Sequence, residues 1–379
     1  MTTTLDTLNI TKPFLQKAWE KSQFEHPTPI QTDAIPAILD GEDVIAESPT
    51  GTGKTLAYLL PILEKVDPAK KDPQALIMAS SRELVMQIFE EVQKWGEGSG
   101  ISGAALIGGA NVKRQIEKLK KKSPQVILGT PGRVEELIKM KKLKMHEVKT
   151  IVLDEGDQLL VKEHIQTVQS IIQSTLADRQ VLLFSATMPE NTVEIGRTLM
   201  KDPQVLKVGR TPQKQSKVDH VYVVSDRRDK VKNLEKLSRI KGVKGLAFGK
   251  DIGELAVLTD KLEYNRIPVG LLHSELNKSE RQAALKQFRE GKSNLLLATD
   301  VAARGLDVTG LSHVIQVNIA EDENQYLHRA GRTGRAGASG TVVSLVTPSE
   351  EKALIRIANK LNIKLSKKTF YAGEMVDAE

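Results

Sequence analysis

The decapeptide AESPTGTGKT, residues 46–55, follows the apolar strand pattern DVIA directly and leads straight into the helical pattern LAYLLPILEKV. A strand that ends in a glycine-rich loop and re-emerges as a helix gathers backbone N–H groups at a helix N-terminus beside a lysine ammonium. That arrangement is a cradle for phosphate oxygens, and it requires a sheet covered by helices. Gly51, Gly53, Lys54 and Thr55 keep the GxxxxGK[ST] spacing, with Ser48 where its first glycine is expected.

The rest of the chain has the matching rhythm. DVIAES, ALIMAS, AALIG, QVILG, TIVLDE and VLLFSA are short apolar runs, each followed by a turn or a longer amphipathic stretch. The pattern stops near Val208, and residues 209–217, GRTPQKQSK, have no apolar period. It resumes with HVYVVS, GLAFGK, VGLLHS, NLLLATD, HVIQVN and TVVSLVT. The expected fold is therefore α/β, with two domains that are each a mainly parallel sheet flanked by helices: residues 1–208, a short flexible linker at 209–217, and residues 218–379. A length of 379 residues suits that number at roughly 150 residues per domain. The second alternation is expected to end near Val346, followed by a closing amphipathic helix in EEKALIRIANKLNI and a short acidic end, GEMVDAE, with no basic tail or accessory domain. Any internal repetition is one domain echoing the other.

Cysteine is absent, which excludes disulfides, cysteine-ligated zinc, iron–sulfur clusters and a thiol nucleophile, and fits a reducing, cytoplasmic compartment. No apolar run approaches the roughly eighteen residues that span a bilayer, and the N-terminus has no signal pattern, so no membrane partner is expected. The charge of +7 favours an anionic partner such as nucleic acid, and an aromatic content of 4% favours its phosphate backbone over rows of stacked bases. His164, His220 and His273 show no ligand-like clustering. The lysine-rich stretches 113–122 and 139–144 read as solvated helix faces, with an extended nucleic-acid surface as the alternative.

TIVLDEGDQLL places Asp154 and Glu155 where an apolar strand runs out, the position required of a magnesium-site acid and a water-polarising base. Ser185 and Thr187 follow VLLF, and their hydroxyls suit a relay of hydrogen bonds from such a site. HRAGRTGR sets Arg329, Arg332 and Arg335 three residues apart among Gly331, Gly334 and Gly337, a setting for close phosphate approach.

In order, PTPIQ, GTGKT, SREL, GG, TPGR, DEGD, SAT, ATDVAARGLD and HRAGRTGR make a chain that resembles the DEAD-box ATP-dependent RNA helicases from residue 24 to residue 335. It is similar to the minimal, tail-less bacterial members linked to ribosome assembly. The resemblance implies two RecA-like domains, and it assigns residues. Phe24 would pack on adenine, and Gln31 would take both hydrogen bonds on its edge. Ser48, Pro49, Thr50, Gly51, Thr52 and Gly53 would line the bound ATP. Lys54 would hold the β- and γ-phosphates, Thr55 and Asp154 a Mg²⁺ ion largely through water, and Glu155 the attacking water. Asp157, Ser185 and Thr187 would couple the site to the rest of the cycle. Asp307 would reach the ribose, and Arg332 and Arg335 would meet the γ-phosphate when the domains close. RNA contacts would come from Arg82, Gly109, Thr130 and Arg133 in the first domain and from Thr299 and Arg281 in the second. These contacts are directed to the backbone, with low sequence specificity.

Several residues depart from the family pattern: Leu5 and Gln23 near the adenine element, Ser80 and Ser81 where PTREL is usual, and Gly156 where the box expects alanine. Lys250, Asp251, Lys278, Asn318 and Ala320 depart in the second domain. Gly156→Ala is expected to keep activity and to act on stability, by about 1 kcal/mol, more than on chemistry. The implied function is RNA-stimulated ATP hydrolysis coupled to local unwinding or remodelling of RNA or RNA–protein complexes, by a monomer, with ribosomal RNA or pre-ribosomal particles as candidate partners. One alternative is an ATP-dependent RNA clamp or scaffold with little hydrolysis. Another is a processive P-loop translocase, against which the Gln31 element and the HRAGRTGR spacing speak.

Overall fold

The computed structural model describes residues 5–49, 51–209, 218–303, 308, 310–334 and 338–378. The chain divides into two compact units, Met1–Arg210 and Thr211–Glu379. Apart from Gly209, the expected linker lies outside the described residues.

In the first unit, β1 (Val44–Glu47), β2 (Ala75–Ala79), β3 (Gly103–Leu106), β4 (Val126–Gly129), β5 (Thr150–Asp154), β6 (Gln180–Ser185) and β7 (Gln204–Lys207) form one parallel sheet in the order β3-β4-β2-β5-β6-β1-β7. Alternate residues feed opposite faces, as a period of two dictates. Val44, Ile77, Val152, Leu182 and Phe184 join one core. Ile45, Leu76, Leu153, Val181 and Leu183 join the other. Strands buried on both sides leave no room for a polar face, and this is why they read as unbroken apolar runs.

The second unit contains β8 (Val218–Val224), β9 (Gly245–Phe248), β10 (Val269–Leu272), β11 (Leu295–Ala298), β12 (His313–Gln316), β13 (Gly340–Val346), β14 (Leu365–Tyr371) and β15 (Glu374–Asp377). Their order is β10-β11-β9-β12-β13-β8-β14-β15. Counting β8 as the first strand gives 3-4-2-5-6-1-7-8, the winding of the first unit with one strand added. The sequence expectation of one domain echoing the other therefore holds at the level of topology. The second sheet does not end near Val346 as expected. After the helix Pro348–Lys360, β14 pairs in parallel with β8, and β15 folds back antiparallel on β14.

No helix among the described residues is long and apolar enough to cross a membrane.

Candidate active site

Parallel strands all leave the sheet on one edge, so the loops that follow β2, β5, β6 and β1 emerge side by side. The register aligns Ala79 with Asp154, Asp154 with Phe184, and Phe184 with Ala46. The next residues along those strands are Ser80, Glu155, Ser185 and Glu47. Segments far apart in the sequence thus meet at one sheet edge, the usual ligand position of an open α/β sheet.

The loop after β1 turns on Gly51 and Gly53, at φ of 78° and 92°. Only glycine adopts such angles freely, and a Cβ on Gly53 would also stand 2.5 Å from Gln31 Nε2. Lys54 and Thr55 open the helix Lys54–Lys65. The Lys54 ammonium donates to the Ser48 carbonyl and, at 2.8 Å, to the Pro49 carbonyl. The Thr52 hydroxyl donates to the Pro49 carbonyl at 2.7 Å, and Ser48 Oγ lies 2.6 Å from Thr52 Oγ1. The lysine thus rests on loop oxygens that phosphate oxygens can replace. Thr50 lies outside the described residues.

Asp154 is buried at the end of β5. Its Oδ2 accepts from the Tyr58 hydroxyl at 2.8 Å, and its Oδ1 accepts from the Glu155 N–H at 2.9 Å. Burial, and then the Glu155 charge, push its carboxyl up to about 6. Removing charge from water without a full counter-charge is costly, so this site favours a cation. Among the described residues there is no group of three or more metal-ligating side chains. One carboxylate beside a phosphate loop is the donor set that suits a hydrated Mg²⁺ shared with a nucleotide. Glu155 sits at φ 51°, a left-handed conformation costing about 1 kcal/mol in a residue with a Cβ. Its Oε2 accepts from the Ser80 hydroxyl at 2.8 Å. Asp157 is clamped from both sides, accepting from Ser185 Oγ at 2.6 Å and from Thr187 Oγ1 at 2.8 Å, which is the relay expected of those hydroxyls.

Gly156 begins the helix Gly156–Leu159, but space decides the effect of a methyl there. A Cβ on Gly156 would run into Leu183 Cδ1 and stand 2.9 Å from Leu183 Cγ. Leu183 fills the volume that the family alanine would occupy.

At the adenine end, Phe24 is 46% exposed and rests on both tryptophans of the chain. Its ring centroid lies 5.3 Å from Trp19, edge-on, and 6.3 Å from Trp95, stacked. It presents an open aromatic surface on a rigid backing. Gln31 is buried; its Oε1 accepts from the Thr28 N–H at 2.9 Å, and its Nε2 donates to the Gly53 carbonyl at 3.2 Å. The amide therefore has one further lone pair and one further N–H to offer a base, and its other contacts tie the adenine end to the phosphate loop.

The first-unit residues expected to meet RNA follow strands that end at the same edge. Arg82 opens the helix Arg82–Trp95, which Ser81 caps, and the Arg82 guanidinium packs on Gly109, where a Cβ would stand 2.8 Å from Cζ. Arg133 is buried and donates to the Ala110 carbonyl at 3.1 Å, steadying that turn. Thr130 follows β4. Thr299 holds the equivalent place after β11, and Arg281 donates to the Ala302 carbonyl at 2.9 Å just beyond it.

In the second unit the evenly spaced arginines separate into different roles. Arg329 is 3% exposed, donates to Asp300 at 2.7 and 2.6 Å, and donates to the Asn318 carbonyl at 2.7 Å. Arg332 is also buried, and its Nε donates to the His328 carbonyl at 3.2 Å, alongside further partners. Arg335 and Asp307 lie outside the described residues. Sequence reasoning missed Tyr58, Asp300 and the tryptophan pair. Tyr58 left a trace as a hydroxyl-bearing residue inside the apolar run LAYLLPIL; the other partners are assembled only by folding.

Comparison with known proteins agrees with this geometry. The DEAD/DEAH box helicase family matches residues 28–195, and the helicase conserved C-terminal domain family matches residues 229–337. The chain is 55% identical over 375 residues to the probable ATP-dependent RNA helicase YfmL of Bacillus subtilis, covering 99% of each chain. It is 52% identical to the DEAD-box ATP-dependent RNA helicase CshC of Bacillus cereus, covering 97% of this chain and 94% of that one. Among solved structures, S. cerevisiae Dbp5 bound to RNA and ADP BeF3 superposes with a TM-score of 0.87 at 30% identity, covering 96% of this chain and 95% of that one.

Proposed function

The chain belongs to the DEAD-box family of ATP-dependent RNA helicases, with two RecA-like units, and from that premise we propose how its own residues carry the cycle. The observation that carries the reading is the buried Asp154 carboxyl, raised to about 6, beside a phosphate loop and one residue before Glu155.

On binding ATP, Lys54 exchanges the Ser48 and Pro49 carbonyls for β- and γ-phosphate oxygens. Phe24 offers its open face to adenine, and Gln31 uses its remaining lone pair and N–H on the base edge. Asp154 and Thr55 would hold a Mg²⁺ ion, which would supply positive charge against the phosphate oxygens. Glu155 orients the attacking water. Arg332 and Arg335 meet the charge that develops on the transferred phosphoryl group, where positioning and electrostatics do most of the work. The clamp of Asp157 by Ser185 and Thr187 ties the end of β6 to the helix after Glu155, so a shift at one is felt at the other.

RNA binds by its backbone to Arg82, Gly109, Thr130 and Arg133 in the first unit and to Thr299 and Arg281 in the second. Short polar groups and helix N-termini read phosphate and 2′-hydroxyl rather than base sequence. ATP and RNA then bind cooperatively, and hydrolysis releases RNA. Glu155→Gln should keep ATP affinity and lengthen the lifetime of RNA on the protein. Equal RNA release rates for the variant and its parent in a chase experiment would count against this cycle. We place the activity in the cytoplasm, in a monomer, and in ribosome assembly. The absence of cysteine and the resemblance to minimal bacterial members support that placement, and normal ribosome profiles after gene deletion would oppose the last part.

A further inference from the structure

The parallel register ends with Ala79 beside Asp154, and at the next residue of each chain segment the Ser80 hydroxyl donates to Glu155 Oε2 at 2.8 Å. The family motif has proline at this place, which has no hydroxyl to give. Glu155 needs outside support for its carboxylate. Its backbone is left-handed, and the Asp154 side chain fixes its N–H but not the carboxylate arm. With Oε2 held by Ser80, Oε1, which has no hydrogen-bond partner among the described residues, remains to accept from water.

Ser80 also stands at a joint. The next residue, Ser81, caps the helix that begins at Arg82, and Arg82 lies against Gly109. A displacement of that segment by RNA reaches Ser80 within two covalent steps and Glu155 within one hydrogen bond more. We propose that Ser80 is a positioning residue: its hydroxyl holds the Glu155 carboxylate in the orientation that directs water, and it links that carboxylate to the RNA-contacting segment at Arg82. This rests on the helicase reading of Glu155 given above.

The test is steady-state ATP hydrolysis at saturating RNA for the parent, Glu155→Gln, Ser80→Ala and Ser80→Thr, with ATP binding followed on each protein by tryptophan fluorescence. Losing one hydrogen bond to a charged group corresponds to a fall in kcat of about tenfold for Ser80→Ala. The KM for ATP stays within about twofold, because the nucleotide contacts are untouched. Stimulation by RNA falls along with kcat, and Ser80→Thr, which keeps the hydroxyl, recovers most of both. A purely structural role would not give this split or this rescue. Glu155-dependent hydrolysis that is unchanged in Ser80→Ala overturns the proposal alone. So does a rise in KM with kcat preserved, or a Ser80→Thr protein as slow as Ser80→Ala. Hydrolysis that survives Glu155→Gln overturns the helicase reading, and the proposal with it.

Discussion

The exits of β5 and β12 occupy the same place in two sheets of the same winding, yet they are finished in opposite ways. At the end of β5, Asp154 is buried with its carboxyl pushed up to about 6, and Glu155 bears a strained backbone. Beyond β12, Asn318 is neutral and fully engaged within its own unit. Its Oδ1 accepts from the Lys250 N–H at 3.0 Å, its Nδ2 donates to Glu254 at 3.3 Å, and its carbonyl takes Arg329. The first exit holds a buried carboxylate whose charged form burial disfavours, whereas the residue beyond the second is a neutral, hydrogen-bonded amide. Frustration therefore marks the exit that does the chemistry, while the matching exit became scaffold. Asn318, a departure from the family pattern, is accommodated by the backbone N–H of Lys250 and by Glu254.

Breaking the scaffold is the largest effect this contrast predicts. Arg329→Ala leaves Asp300 and the Asn318 carbonyl without their partner and should cost about 3–5 kcal/mol of stability in the second unit. Arg332→Ala should remove most of the hydrolysis and cost less stability than Arg329→Ala. Thermal melts and ATPase rates on the two variants sort them; a folded, inactive Arg329→Ala beside an unstable Arg332→Ala would reverse the assignment.

A smaller effect sharpens the β5 side. Gly156→Ala has to displace Leu183, so we expect about 1–3 kcal/mol of overpacking in place of a gain in helix propensity. The melting temperature should fall and Leu183→Val should restore it, with ATPase within tenfold of the parent throughout. A melting temperature that rises with Gly156→Ala alone would show that the space around Leu183 is more forgiving than its contacts.

The smallest effect is in pH. Because the folded value of Asp154 lies above the ordinary 3.8, the folded state holds that proton more tightly, and its contribution to stability grows as pH falls through about 6. The charged form is the one that serves Mg²⁺, so kcat/KM should fall as pH drops through the same range. The Tyr58 hydroxyl favours the charged form, and Tyr58→Phe should therefore move the acid limb to higher pH, with little change at pH 8. An acid limb unmoved by Tyr58→Phe would remove Asp154 as its source.

Most interior strands were legible because burial on both faces writes them as apolar runs. The three that were missed, β7, β14 and β15, all lie at or beside sheet edges, where exposed residues such as Gln204, Lys207 and Tyr371 break the apolar run. At the site, Lys54, Asp154, Glu155 and the pair Ser185 and Thr187 were legible from their places after strands. The division between Arg329 and Arg332 was not. Identical side chains at identical spacing are told apart by partners such as Asp300, 29 residues away, which folding brings to one of them. Ser80 was visible as a departure, but its partner, 75 residues on, follows only from strand order.

The most direct test is steady-state ATP hydrolysis with single-stranded or structured RNA, with DNA, and with no nucleic acid, using Glu155→Gln as the blank. The account predicts many-fold stimulation by RNA, none by DNA, and loss of the stimulated rate in the blank. ATP that binds but is hydrolysed no faster than in the blank, with or without RNA, would contradict it and leave an ATP-dependent RNA clamp.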